Sequence, residues 1–195
     1  MLRRFAWVLA AAALAACTSM GRVEQGATLK SGSKDTIFIL GVKPDNYRVS
    51  IFQGSVKDGV FKQNPWLSAT FMGAAENGYV VGKTGSDGPL AITMVNVVTS
   101  AHAILGTAFT PCGDARTVVF SVPHGRVIYI GDLTYDFRGN GLRIIESSNL
   151  EAAREHLRTA YPQLADSLEQ GRYDVMPTAT SCTQTITIPI YLPSR

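Results

Sequence analysis

The chain holds 195 residues, 18 Lys or Arg against 15 Asp or Glu, for a formal net charge of +3 at pH 7. The basic residues form no stripe interleaved with aromatics, which argues against a nucleic-acid partner. The length suits one domain with a real core.

Arg3 and Arg4 open the chain, and no acid precedes Glu24. Phe5 to Ala16 is an unbroken apolar run of twelve residues. A membrane-spanning helix needs about 20, so this run is too short to cross a bilayer. A basic start, a short apolar middle and a small-residue exit are the pattern of an export signal.

The exit itself, Leu14-Ala15-Ala16-Cys17, resembles the lipobox of bacterial lipoproteins. The resemblance implies that the Cys17 thiol receives a diacylglycerol and that cleavage falls just before it. It also implies that the new amine is acylated, and two or three chains hold a protein far better than one. Residues 1–16 are then a signal peptide, residues 17–35 a lipidated cysteine and flexible tether, and residues 36–195 a single domain. Removing the signal takes away two basic residues and no acid, leaving 179 residues, 16 basic and 15 acidic, with net charge +1. Thr18, rather than Asp, follows the cysteine, which in that family favours sorting to the outer membrane.

Three cysteines are present, and Cys112 and Cys182 remain as an even pair once Cys17 carries lipid. Beyond the inner membrane the compartment is oxidising, so a disulfide is expected; the alternative is two separately buried thiols. No CxxC or HxxxH spacing occurs, so neither a metal centre nor a cofactor is expected.

The polar, Gly/Ser-rich segment 18–35 reads as the tether. From Thr36 onward β signals dominate. "TIFILGV" is a short apolar run, and "YRVSIFQGSV" alternates with period two, the strand signature. Lys57-Asp58-Gly59 is a hairpin turn signal. "NPWLSATFMG" and "GYVVGKT" read as further strands around Glu76-Asn77-Gly78, and Gly85 to Pro89 is another turn. "LAITMVNVVTSAHAILGTAFT" reads as two strands or one bent strand. In "TVVFSVPHGRVIYIGDL", Val118–Val122 and Arg126–Leu133 read as a hairpin about Pro123-His124-Gly125. "LTYDF" extends that strand, and Arg138 to Gly141 turns into "LRIIES".

The period then changes. Ser148 and Glu151 fit a capping box, and Leu150, Ala153, Leu157, Ala160 and Tyr161 recur at helical spacing. Pro162 opens a second helix carrying Leu164 and Leu168 and ending at Gly171. Residues 185–192 return to strict alternation, with Pro189 placing that last strand at a sheet edge. The fold expected is mainly β, an antiparallel sandwich with a short helical pair inserted before the last strand. "VPHGRVIYIGDL" resembles a pattern of uncharacterised bacterial lipoproteins of Ig- or transthyretin-like sandwich fold, which implies that fold and no particular reaction.

Chemistry is sparse. His102, His124 and His156 lie on a strand, a turn and a helix, and Gly-x-Ser-x-Gly is absent. Asp132 and Asp136, with Asn140, place oxygen ligands near one another, and the two acids share a strand face as weak cation candidates. Trp66, Tyr79, Tyr129, Tyr135, Tyr173 and Tyr191 are candidates for an aromatic binding patch. The function expected is a non-enzymatic, membrane-anchored binding or structural module of the cell envelope with an envelope protein as partner. The alternatives are an envelope hydrolase assembled only in three dimensions and an accessory subunit of a secretion or pilus machine. Labelled palmitate enters the wild-type protein and not Cys17→Ser; label retained by that variant contradicts the lipobox.

Overall fold

The computed structural model describes residues 20–29, 32–98, 106–138 and 141–182. Strands β1 (Thr36–Lys43), β2 (Arg48–Lys57), β3 (Val60–Gln63), β4 (Phe71–Ala74), β5 (Tyr79–Thr84) and β6 (Leu90–Val97) come first. They are followed by β7 (Thr107–Phe109), β8 (Arg116–Phe120), β9 (Val127–Arg138) and β10 (Gly141–Ser147). Helices α1 (Leu150–Ala160) and α2 (Pro162–Ala165) precede β11 (Leu168–Gln170) and β12 (Tyr173–Pro177).

The chain is mainly β, arranged as two facing sheets. One has the order β10-β9-β1-β5, with β11 also on β9; the other runs β12-β8-β6-β2-β3, with β4 on β2 and β7 on β6. Phe38, Leu40, Ile128 and Ile130 of the first sheet meet Val49, Ile51, Leu90 and Val118 of the second in one core. Phe38 lies at its centre, its ring 6.3 Å from that of Phe71 and 5.6 Å from that of Phe120. On the opposite side of the first sheet, Ile37, Ile39, Val127 and Tyr129 pack under Ala153, Leu157 and Leu164 of the helices. β1 is therefore buried on both faces, which is why "TIFILGV" is continuously apolar and does not alternate. The second sheet also curls: Phe61 of β3 bridges Thr178 just past β12, enclosing Phe61, Ala91 and Val119.

Several expectations hold. The Asp58-Gly59 turn joins β2 to β3 with Lys57 opposite Val60, and both turn residues have the positive φ (53° and 74°) of a tight two-residue hairpin. β9 and β10 pair from Arg138 opposite Gly141. β6 and β7 are two antiparallel strands. Cys112 and Cys182 form a disulfide across a sequence separation of 70, beside a hydrogen bond from the Gly113 N–H to the Thr180 carbonyl.

Others are corrected. β8 and β9 do not form a hairpin: β8 lies in one sheet and β9 in the other, so Pro123-His124-Gly125 is an arch between layers. Val118 and Phe120 face Ile128 and Ile130 across the core. Both arms have an apolar inner face, and alternation specifies a strand's face without specifying its partner. The first sheet is not wholly antiparallel, because β9 runs parallel to both β1 and β11. Asn149, not Ser148, caps α1, its side chain accepting from the Ala152 N–H at 3.0 Å. Ser148 instead donates to Gln170, and Glu151 pairs with Arg154. α2 opens on Pro162 as expected and stops at Ala165, leaving Leu168 to start a strand beneath the helices. Of "NPWLSATFMG" only Phe71–Gly73 pairs as strand, in β4. The expected last strand, residues 185–192, lies outside the described residues.

The segment read as a tether joins the fold from Met20. Met20 and Met72 exchange main-chain hydrogen bonds of 2.9 and 3.0 Å at the edge of β4 in the second sheet. A few residues on, Val23 N–H donates to the Val81 carbonyl at 3.1 Å and Lys83 N–H to the Gly21 carbonyl at 2.9 Å, on β5 of the first sheet. Val23 is 4% exposed. Residues 20–23 thus run along the open side of the sandwich and bind both layers.

Two stability predictions follow from this packing. Phe38→Ala costs about 3–5 kcal/mol in urea unfolding; a loss under ~1 kcal/mol would contradict the central position of the ring. Replacing both Cys112 and Cys182 by Ser lowers stability by roughly 2–4 kcal/mol, and an unchanged unfolding midpoint would show that the bridge constrains nothing.

Candidate functional site

The site lies on the helix-covered face of the first sheet, at the end nearest Gly41. Register places Tyr79 of β5, Gly41 of β1 and Asp132 of β9 side by side across three strands. Gly41 is required there: a Cβ would overlap Asp132 Oδ1, so the carboxylate occupies the space above the glycine. In the next row, Tyr129 is fully buried and its hydroxyl accepts from the Asn149 N–H at 2.9 Å. The residue that caps α1 is therefore itself fixed by Tyr129. About two turns further along α1, the His156 ring lies 4.8 Å from that of Tyr79 and 6.3 Å from that of Tyr161.

The docked N-terminal segment closes the other side. Tyr161 hydroxyl donates to the Val23 carbonyl at 3.2 Å. Arg22 pairs with Glu76 at 2.8 Å, donates to the Ala74 carbonyl at 2.6 Å and stands 5.8 Å from the centre of the Phe71 ring. Between them opens a cleft of about 420 Å³ lined by Gly21 to Gln25, Glu76 and Tyr161.

Burial sets the electrostatics. It pushes the Tyr129 and Tyr79 phenols above their ordinary value, and the charge of Asp132 adds to both shifts. It also raises the Tyr161 phenol. His156 is shifted down by burial, opposed by the charge of Glu76. At neutral pH the cluster therefore presents protonated phenols and a neutral imidazole. Asp132 Oδ1 and His156 Nε2 are buried without a hydrogen-bond partner. Ser147 lies across from Asp132 in the β9–β10 pair, and the cluster offers hydrogen bonding and aromatic surface.

The structure separates the sequence-predicted residues. His124 sits on the arch, where its Nε2 meets Asp87 and its Nδ1 lies 2.5 Å from the Lys34 carbonyl. The hydrogen bond to Asp87 is the main cause of its raised pKa. Ser86 is next in sequence to Asp87, yet its hydroxyl donates to the Gly88 carbonyl. His102, Cys17, Asn140 and Tyr191 lie outside the described residues. Asp132 and Asp136 share the outer face of β9, Asp132 opposite Ser147 and Asp136 opposite Arg143. Among the described residues no three His, Cys, Asp or Glu side chains come together to hold a metal. The aromatic candidates scatter as well: Tyr135 is in the inter-sheet core, Tyr129 under α1, and Trp66 stands out at 91% exposed. Arg22 and Glu76 are the functional candidates that sequence reasoning missed; no spacing marks them, because main-chain docking brings them together. No helix among the described residues is long and apolar enough to cross a membrane. Compared with protein-family models, curated proteins and solved structures, the chain matches none.

Two measurements check this geometry. Tyr129→Phe leaves the Asn149 N–H without its acceptor and costs about 1–3 kcal/mol; a neutral change would show that the phenol does not hold the helix start. The folded state resists the proton that the unfolded chain accepts at His156, whose folded pKa is lowered. Its contribution to stability is therefore complete above about pH 6.5 and is lost as pH falls below that value. His156→Phe keeps a ring on Tyr79 and flattens stability against pH in that range, whereas a slope equal to that of wild type would contradict a buried neutral imidazole.

Proposed function

We propose that the chain is a lipid-anchored, non-enzymatic module of the cell envelope whose sandwich domain binds an envelope protein through the cleft beside Arg22, Glu76 and Tyr161. The observation that carries this reading is the short path from lipid to fold. Cys17 ends the lipobox, and Met20, three residues later, is already paired into a sheet. Anchor and cleft then belong to one body, and the membrane fixes where the cleft points. Two acyl chains or more supply stable attachment without a spanning helix, and the outer membrane is the favoured address.

The chemistry of the cleft supports binding over turnover. Its groups are the Arg22–Glu76 ion pair and the Tyr161 phenol, whose pKa burial raises further. A hydrolase would need a nucleophile beside a base, and the His124–Asp87 pair has no serine hydroxyl bonded to it. Membership of a secretion or pilus machine is one form that such a partnership takes.

A photo-crosslinking residue at exposed Gln25, on the rim of the cleft, tests the reading in living cells. A discrete protein adduct forms from position 25 and disappears when Arg22→Ala and Glu76→Ala are added, while the same probe at exposed Asp114 gives no such adduct. Equal adducts from both positions, or none from the cleft, would contradict it.

A further inference from the structure

Among the described residues seven large apolar side chains are exposed, and four of them, Met20, Trp66, Leu67 and Met72, belong to one edge of the second sheet. Phe71 and Gly73 of β4 are buried, so Met72 between them points away from the core. Met20 is its direct cross-strand partner, and opposed residues project from the same face. These two side chains are 39% and 50% exposed. Trp66 and Leu67 come from the loop between β3 and β4, which both pair along the same edge of β2. That loop is built to present them: Trp66 N–H donates to Asn64 Oδ1 at 3.0 Å, and Asn64 N–H donates to the Gln53 carbonyl at 3.0 Å. Trp66 is 91% exposed and Leu67 40%.

The whole stretch 64–75 carries no charged residue, and neither does 18–21. These two stretches therefore bring no charge of their own into contact with lipid. Large apolar side chains left exposed along one edge mark an interaction surface, and tryptophan favours the headgroup level of a bilayer.

We infer that this edge is the membrane-facing side of the domain, with Trp66, Leu67, Met20 and Met72 entering the interfacial layer of the leaflet that holds the Cys17 acyl chains. The inference rests on the lipoprotein reading and adds an orientation to it. Three residue steps separate Cys17 from Met20, a reach of at most about 10 Å for extended chain. The headgroup layer of one leaflet is itself roughly 5–8 Å thick. Met20, and with it the edge of β4, is thus held within reach of the interface by the chain itself. The apolar side chains then act as a second attachment beside the lipid and hold the domain in one pose.

The mature protein contains its own probe, because Trp7 leaves with residues 1–16 and Trp66 is the remaining tryptophan. The acylated protein, purified from membranes, is reconstituted into phosphatidylethanolamine–phosphatidylglycerol vesicles with or without bromine on the acyl chains. Brominated lipid quenches Trp66 emission about twofold relative to the same vesicles without bromine, with the blue-shifted spectrum of an interfacial indole. Leu67→Asp, at an exposed loop position, reduces that quenching. Acylated, vesicle-bound protein whose Trp66 is quenched by aqueous iodide and not by brominated lipid overturns the inference and leaves the anchor standing. Equal quenching in Leu67→Asp and wild type also overturns it. Protein that carries no acyl group and stays in the water phase overturns both the inference and the anchor.

Discussion

The main-chain hydrogen bonds of Met20, Gly21 and Val23 are the constraint on which most of the functional architecture depends. They join a segment that has no regular structure of its own to β4 in one sheet and β5 in the other. Buried N–H and C=O groups must find partners, and here the partners on the two layers are the same few residues. Arg22 is brought to Glu76 by this docking, Tyr161 gains the Val23 carbonyl, and the cleft acquires its second wall. Without it the outer edge of β5 would be open and Arg22 would be an ordinary solvated side chain.

Burial of β1 on both faces supplies the rigid floor. Its inner side chains, Phe38, Leu40 and Val42, belong to the inter-sheet core, and Ile37 and Ile39 belong to the layer under the helices. Gly41 interrupts the outer row at the one place where a carboxylate must lie, so the absence of a side chain on β1 accommodates Asp132 on β9. From there the order passes outward through Tyr129 to Asn149, to the start of α1 and, along the helix, to His156. The site is an extension of the packing.

The local patterns were largely legible from sequence. Alternation located β2, the apolar run after Gly125 extended by "LTYDF" located β9, Asp58-Gly59 located a hairpin, and the recurrence of Ala153 and Leu157 located α1 with its buried side. The pairing of strands was not, since Val118, Phe120, Ile128 and Ile130 present the same period whether their strands share a sheet or face each other. Asp132 could be singled out from its charge in a β pattern, but its setting over Gly41 depends on the register of strands far apart in sequence. The seating of residues 20–23 was illegible for a different reason: it uses main-chain groups, which every residue carries, and the small polar composition that suits a tether suits a docked edge equally well.

The separation of anchor from domain is the quantity on which the functional account turns. Amide hydrogen exchange of the acylated, membrane-bound protein measures it at Met20 and Val23, because exchange reports local opening directly. Both amides are expected to be protected to a degree similar to that of Val80 on β5, which pairs with Leu40 of β1. Exchange at Met20 and Val23 as fast as in an unstructured chain, with Val80 still protected, would restore a free tether and contradict a domain held against its lipid.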